Sequence, residues 1–278
     1  MKKMSFLVGG LPLTVGVACP NEAEKNGITS WSLKPLRNKH AVIDERSPLV
    51  AGLRKTLRKM GTHYVYAPNV TTFSARIVDT RVPWRRLSVG DGRFLHVSDF
   101  CSADGVLLSR GRSFIMSGSG CPIILASGEN NVVVAHAGRD SLIDRGAVGG
   151  KPTREHVSVV DAIVDAFAKR GTRPPQIEML MLFSIPAAAF GHPLDHPIHG
   201  KHNRLLADFL RRWPDSHHIV DKTAMYLDLE GLFLAQAEQA GVSKAHVAHP
   251  IGQHPELAHT RDGKDPSRRN LIVVKRDH

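Results

Sequence analysis

The sequence is poor in cysteine, in aromatic side chains and in long apolar runs. Only three of its 278 residues are cysteines, which excludes a disulfide framework and favours a reducing compartment. Aromatic residues make up 6%, and no stretch interleaves them with lysine and arginine as single-strand nucleic-acid binding requires. No apolar run approaches the ~18 residues of a membrane span. We therefore expect neither clear nucleic-acid binding nor membrane insertion.

Positive charge is what the sequence has in excess. It contains 37 lysines and arginines against 26 aspartates and glutamates, a net charge of +11 with histidine neutral. These basic residues are spread along the chain rather than gathered into a tail. A surface of this kind attracts phosphate-bearing small molecules or an acidic protein. Composition leaves both kinds of partner open.

The N-terminus admits two interpretations. A basic start and an apolar run up to Cys19 weakly resemble a signal peptide. Glycines and a proline interrupt the run, which instead favours two strands, Phe6–Val8 and Leu13–Ala18, joined by a turn at Gly9–Gly10. We accordingly expect a cytoplasmic protein, with secretion or export as the alternative.

Apolar periodicity and capping residues predict four helices. With their caps and terminators they span Ser47–Gly61, Thr153–Gly171, Asn203–Trp213 and Asp228–Gly241. Between them lie short, continuously apolar runs that are typical of strands covered on both faces. Intermixed helices and strands indicate an α/β, or mixed α+β, protein with layered mixed β-sheets flanked by helices. We expect one domain over residues 1–278.

The densest chemical signal lies between residues 117 and 139. A glycine-rich turn, Ser117–Cys121, leads into a predicted strand, Pro122–Ala126, and a second strand follows at Val132–His136. If the two strands form a hairpin, Cys121 and His136 meet at the same end of the sheet. These two residues are called the Cys–His pair below.

Three interpretations of the Cys–His pair are open from the residues alone. His136 can activate the Cys121 thiol as a nucleophile, with the turn that carries Ser119 supplying oxyanion donors. The same two side chains can instead bind a soft metal such as zinc or copper. A buried structural cysteine beside a hydrogen-bonded histidine also fits. The candidate catalytic residues are therefore Cys121, His136 and Ser119.

Histidines are also dense from His192 to His202, and their spacing could suit a metal site on a helix. Pro193, Pro197 and Gly200 would break such a helix. We therefore interpret this segment as a solvated loop.

Motifs around the Cys–His pair resemble those of the laccase-domain, or YfiH-like, family. Ala103–Leu107, Gly120–Pro122 and Ala135–Gly138 are similar to the family's Ala-Asp-Ala-Leu strand, Asp-Cys-Leu-Pro turn and Ala-His-Ala-Gly-Trp-Arg-Gly motif. The likeness continues through residues 226–242 and ends at Arg261–Gly263. The likeness covers most of the chain and implies a laccase-domain fold. The fold of the cytotoxic necrotizing factors is similar to that fold.

The resemblance implies a purine-nucleoside enzyme that phosphorolyses or deaminates adenosine- or inosine-type substrates at a zinc or copper site. Cys121 and His136 match two of the family's metal ligands, and Tyr66 stands where the family has the third. Arg139 and Arg261 would then attract phosphate or another substrate anion. The chain departs from the family pattern at Tyr66, Gly120, Arg139 and Ala248.

A second resemblance concerns the same centre. Ser119-Gly120-Cys121 followed by His136 is similar to the catalytic pattern of the cytotoxic necrotizing factor deamidases. That resemblance implies a metal-free Cys–His hydrolase acting on a glutamine side chain of a protein such as a small GTPase.

The departures listed above also fit a degenerate binding protein without catalytic activity. We rank the nucleoside enzyme first, the deamidase second and the binding protein third.

Overall fold

The computed structural model describes residues 1–28, 30–38, 43–70, 74–118, 120–249 and 269–277, with the backbone alone at 99–101. Its strands are β1 (Lys2–Val8), β2 (Leu11–Ala18), β3 (Tyr64–Asn69), β4 (Ile77–Asp79), β5 (Arg85–Gly90), β6 (Arg93–Ser102), β7 (Gly105–Leu108), β8 (Ser113–Gly118), β9 (Ile123–Gly128), β10 (Asn131–His136), β11 (Glu178–Leu182), β12 (Gly191–Pro193), β13 (His217–Ile219), β14 (Ala224–Leu227), β15 (Lys244–Ala248) and β16 (Asn270–Arg276). Its helices are α1 (Pro20–Glu24), α2 (Lys34–Arg37), α3 (Pro48–Met60), α4 (Arg139–Leu142), α5 (Arg145–Val148), α6 (Val159–Ala168), α7 (Gly200–Leu210) and α8 (Leu229–Gln239).

The described strands form two large mixed sheets and one small sheet. The seven-stranded sheet has the order β1-β2-β16-β8-β3-β6-β5, and the six-stranded sheet has the order β15-β11-β9-β10-β7-β4. Each contains parallel and antiparallel pairs; β3 runs parallel to β8, for example, whereas β9 runs antiparallel to β10. A three-stranded sheet, β12-β14-β13, lies beside them. The layered mixed α/β class predicted from the sequence is confirmed.

Strand β9 shows why its sequence is continuously apolar. Ile123 and Leu125 pack into the cluster shared with the seven-stranded sheet, whereas Ile124 and Ala126 pack into the cluster that contains α6 and α8. All four side chains are fully buried. Because successive strand residues point to opposite faces, both faces of β9 are apolar at these four positions. Strand β9 therefore lies between the two clusters, in the interior of the protein.

Helix α3 follows its sequence signals. The Ser47 hydroxyl accepts a hydrogen bond from the Val50 amide, and Pro48 occupies the first helical position. Gly61 ends the helix in the left-handed region, at φ +65°, a conformation that glycine adopts without strain. Helix α8 likewise starts at its predicted cap, Asp228, which accepts from two backbone amides.

Helix α6 starts later than predicted. Ser158 caps it, and Ser158 and Asp161 exchange side-chain and backbone hydrogen bonds in a capping box. Thr153, the predicted cap, instead donates through its amide and hydroxyl to Asp144, at 2.8 and 2.7 Å. The prediction of Thr153 was wrong because the buried Asp144 carboxylate offers it a tertiary acceptor. The third predicted helix is α7, which begins and ends three residues earlier than expected.

The predicted N-terminal strands are confirmed as the antiparallel hairpin of β1 and β2, with turn glycines at positive φ. Its second strand continues the seven-stranded sheet by pairing with β16. Across the described ranges, none of the helices combines the length and the apolar character that spanning a bilayer demands.

Candidate functional site

The hairpin of β9 and β10 brings Cys121 and His136 together. His136 is the last residue of β10 and pairs with Ile123, the first residue of β9. One residue further out, the Ala137 amide donates to the Pro122 carbonyl at 2.9 Å. Gly120 turns the chain into Cys121 at φ +75°, where a side chain would be strained. The antiparallel register therefore places both members of the Cys–His pair at one end of the sheet, as the sequence predicts.

The thiol and the imidazole are hydrogen-bonded in a mostly buried position. His136 is 2% exposed, whereas Cys121 is partly accessible. Their side chains share a hydrogen bond. Both flank Gly138, since a Cβ at that position would lie 2.9 Å from His136 Nε2 and 3.6 Å from Cys121 Sγ. The absence of a side chain at Gly138 therefore lets the backbone approach the imidazole and the thiol closely.

A buried carboxylate orients the imidazole from its other side. His136 Nδ1 lies 3.2 Å from Asp104 Oδ1 and 2.9 Å from the Ser141 hydroxyl, which itself donates to Asp104 at 2.7 Å. The second carboxylate oxygen accepts from the Ala75 amide at 2.7 Å. Asp104 and Ser141 are fully buried. The proton on Nδ1 is therefore fixed, and Nε2 is left for the thiol.

These contacts favour the charged forms of the Cys–His pair. Burial by itself would raise the pKa of Cys121, but His136 and the positive charge of Arg269 lower that pKa below its ordinary value. Burial by itself would lower the pKa of His136, but the Cys121 thiolate and Asp104 raise it. A thiolate facing an imidazolium is the activated form of a cysteine nucleophile.

Arg139 lies beside the site in a network of its own. Its Nε donates to Asp140 at 2.9 Å, and its Nη1 lies 3.1 Å from Nε2 of His192. The Nδ1 of His192 faces the Phe190 carbonyl at 3.0 Å, so Nδ1 carries the proton and Nε2 accepts from Arg139. Arg139 directly follows Gly138 in the chain, and its guanidinium is already engaged by Asp140 and His192.

His192 itself corrects the interpretation of residues 192–202 as a solvated loop. It is 3% exposed and belongs to β12. His196 is partly exposed, and its Nδ1 accepts hydrogen bonds from the amides of Ile198 and His199 in a local turn. The segment is therefore only partly a solvated loop: the β12 pairing and Arg139 hold His192 in the interior, and His202 belongs to helix α7, which begins at Gly200.

Tyr66 lies on β3 of the seven-stranded sheet, whereas the hairpin that carries the Cys–His pair belongs to the six-stranded sheet. It stacks on His96, with ring centroids 4.6 Å apart, and meets the edge of Trp84 at 5.1 Å. It also pairs in register with Phe114 of β8. Phe114 lies roughly 13 Å along the strand from Gly118, the end of β8 that leads to Cys121. The structure therefore does not support Tyr66 as a third ligand beside the Cys–His pair. Ser119 and Arg261, the other two predicted site residues, lie outside the described residues.

Asp104 and Ser141 are the site residues that sequence reasoning missed. Strands β7 and β10 pair with each other, and Ala135 of β10 faces Gly105 of β7. That register alone would put Asp104 beside His136, because Asp104 directly precedes Gly105 and His136 directly follows Ala135 in an antiparallel pair. Ser141 gives no such signal, because it reaches the site from the helical turn α4.

The fit of the site to a metal is incomplete. Cys121 and His136 are two suitable ligands, and a carboxylate on the second ring nitrogen is a usual companion of a metal-binding histidine. Over the described ranges, however, no three histidine, cysteine or acidic side chains are grouped so as to hold a metal ion. The described donors therefore do not make a zinc or copper site by themselves, whereas a thiol nucleophile needs no further ligand.

Gly138 provides a test of the close packing beside the thiol and the imidazole. Its φ of −65° suits any residue, so we expect Gly138→Ala to keep the backbone fold. The new methyl group would press on His136 and restrict access to Cys121. We expect alkylation of Cys121 by iodoacetamide to slow by about tenfold, the effect of roughly 1.4 kcal/mol in the barrier. The matched control is Gly149→Ala, which meets only an ordinary contact at 3.5 Å and should leave the rate unchanged; equal rates in all three proteins would contradict the described geometry.

Comparison with known proteins identifies the fold. No family model and no curated protein sequence matches the chain. Among solved structures, the Neisseria meningitidis DUF152 protein NMB0706 is similar, with a TM-score of 0.64 and 14% identity over 100% of both chains. Bacillus licheniformis YfiH is similar with a TM-score of 0.63 and 14% identity, over 95% of this chain and 92% of that protein. Geobacillus stearothermophilus YlmD is similar with a TM-score of 0.62 and 15% identity, over 96% of this chain and 92% of that protein. The chain therefore has the fold of the YfiH and DUF152 proteins, which is the fold implied by the sequence resemblance.

Proposed function

We propose that the protein is a metal-independent thiol hydrolase that converts a glutamine side-chain amide of an acidic protein into a carboxylate. The observation that carries this proposal is the continuous hydrogen-bonded chain from Cys121 through His136 to Asp104. In that chain each group has the role that a cysteine hydrolase requires: nucleophile, base and orienting carboxylate.

The reaction follows from the positions of these groups. The Cys121 thiolate attacks the amide carbon, and His136 gives its proton to the departing nitrogen, so that ammonia leaves and a thioester forms. His136 then removes a proton from water, which attacks the thioester and releases the carboxylate and the thiol. Asp104 holds the imidazole in one tautomer throughout and stabilises its positive charge. The net change is one amide and one water converted into one carboxylic acid and one ammonia.

The charge of the chain supports an acidic protein as the substrate. The net charge of +11 favours encounter with a negatively charged surface. Arg269 adds positive charge near Cys121. A small GTPase with an accessible glutamine is the substrate that the resemblance to the deamidases implies.

The test is an assay with purified small GTPases. We expect ammonia release together with the mass change of an amide-to-acid conversion at one glutamine. We expect EDTA to leave the activity intact and Cys121→Ala to abolish it. The same mass change in the presence of Cys121→Ala would overturn the proposal, because the thiol would then not be the nucleophile.

The second candidate is a purine-nucleoside enzyme using zinc or copper, and the YfiH-type fold favours it. In that case Cys121 and His136 would hold the metal, while Arg139 and Arg261 would face phosphate or the nucleoside. The metal would supply Lewis-acid chemistry. The same purified protein distinguishes the candidates: one equivalent of metal, and turnover of adenosine or inosine that EDTA abolishes, would establish the second and exclude the first.

A further inference from the structure

An arginine-lined cleft of about 240 Å³ lies at the opposite end of β10 from the Cys–His pair. Asn131, the first residue of β10, lines the cleft, whereas His136 is the last. The two positions are roughly 17 Å apart along the strand. Four arginines line the cleft, together with a single acidic residue: Arg81, Arg110, Arg170, Arg276 and Asp79. These five side chains define what is called the arginine cleft below.

The acidic residue neutralises only two of the four arginines. Asp79 accepts from Arg81 Nε at 3.1 Å and Arg81 Nη2 at 2.8 Å, and it also pairs with Arg170. Among the residues that the structure describes, no carboxylate lies within ion-pair distance of Arg110 or Arg276. The cleft therefore carries excess positive charge.

The excess positive charge is energetically unfavourable because one of these arginines, Arg276, is buried. It is 4% exposed, and its Nη1 donates to the Leu108 carbonyl at 3.1 Å. Burial, and then the nearby charge of Arg110, lower the pKa of the Arg276 guanidinium. Buried charges in proteins are normally paired, since an unpaired one loses hydration without compensation. An anion in the cleft would supply the missing partner.

We propose that the arginine cleft binds the phosphoryl group of a small molecule. Guanidinium groups match phosphate oxygens in a bidentate, charge-assisted geometry. Arg110 and Arg276 are the two arginines left for this contact. Ser109 and Asn131 also line the cleft and add neutral hydrogen-bond donors. The site is separate from the Cys–His pair and does not depend on the proposed hydrolase function.

The test is calorimetric titration of the full chain at constant ionic strength with inorganic phosphate, pyrophosphate and glycerol phosphate. We expect saturable binding of at least one of them, weakened about tenfold or more by Arg110→Gln, since a charge-assisted contact is worth at least that factor. The relative affinities distinguish a free anion from a phosphate ester. Arg110 is exposed, so its substitution should not disturb folding, and circular dichroism checks this.

The matched control is Arg211→Gln, which removes one positive charge from a side chain that is 76% exposed on another part of the surface. We expect it to bind as the unchanged protein does. An equal loss in both variants would overturn the proposal, because general positive charge would then explain the binding. Absence of saturable binding of all three probes would overturn it as well.

Discussion

Replacing His136 by alanine should slow alkylation of Cys121 at pH 7 by about tenfold or more, the effect of roughly 1.4 kcal/mol. In the intact site His136 and Arg269 hold the pKa of Cys121 below its ordinary value, so a larger fraction of the thiol is ionised. Without the imidazole, burial raises that pKa, and a thiol with a pKa above ~8.5 is only a few per cent ionised at neutral pH. Peptide-resolved mass spectrometry after iodoacetamide treatment separates Cys121 from the other two cysteines.

The pH dependence of the Cys121 alkylation rate tests independently whether the pKa of the thiol is lowered. In the unchanged protein the alkylation rate should reach half of its plateau below pH ~8.5, the ordinary cysteine value, because the folded state favours the thiolate. In His136→Ala the rate should still be rising through that pH. His218→Ala, which alters an exposed histidine, should match the unchanged protein. A midpoint at or above 8.5 in the unchanged protein would show that the pair is not activated.

Replacing Asp104 by alanine should lower the free energy of unfolding by about 3 kcal/mol or more, as expected when one partner of a buried charged network is removed. The substitution leaves the Ala75 amide, the Ser141 hydroxyl and His136 Nδ1 without their acceptor in the interior. Urea denaturation measures the change, and Asp104→Asn, which keeps an acceptor oxygen, should be less destabilised.

The control for this loss is Asp208→Ala, which removes an exposed carboxylate that pairs with Arg211 on the surface. Surface pairs contribute about 0–1 kcal/mol, so this variant should unfold close to the unchanged protein. If Asp104→Ala unfolds as late as Asp208→Ala, the carboxylate is not the buried acceptor described. Asp104→Asn should still react slowly with iodoacetamide, because it has lost the charge that stabilises the imidazolium.

The Cys–His pair was predictable because it depends on local structure. Cys121 and His136 belong to neighbouring strands joined by a short turn, so their meeting follows from a hairpin register. Asp104 belongs to β7, and its position requires knowing that β7 pairs with β10. Ser141 comes from a short helical turn whose direction is set by packing. Local pattern therefore finds the nucleophile and base, whereas the groups that position them depend on tertiary contacts.

Tyr66 shows the opposite case. Its place in the site depended on aligning one strand with a family motif, and the resemblance there involved a single residue. In the structure the β3–β8 register places Tyr66 against Phe114, and its ring belongs to an aromatic cluster with Trp84 and His96. A motif position in a parallel sheet is fixed only when the register with the neighbouring strand is known.

The long strands β5 and β6 were missed for a related reason. Arginine and glycine interrupt their apolar pattern, as at Arg85, Arg86 and Gly90. β5 is an edge strand of the seven-stranded sheet, where charged side chains are tolerated and even useful. Apolar periodicity therefore overlooks strands whose pattern is interrupted by charged residues and glycine, whether at an edge, as in β5, or inside the sheet, as in β6.

The structure also changes the order of the functional hypotheses. Sequence resemblance ranks the nucleoside enzyme first because the likeness extends along most of the chain. The described site, however, supplies two metal ligands and an orienting carboxylate rather than three ligands. The hydrolase is therefore the function that we propose first.

The central position of β9 and β10 has a consequence for measurements on this protein. Both strands are flanked by neighbours, β11 on one side and β7 on the other, whereas β15 and β4 form the sheet edges. Fraying of an edge leaves the hairpin in place, so its amides should exchange with solvent only through the rarest, global opening. The enhanced reactivity of Cys121 would then persist as long as the whole sheet is intact. A simple alkylation rate can therefore report on the integrity of the entire fold.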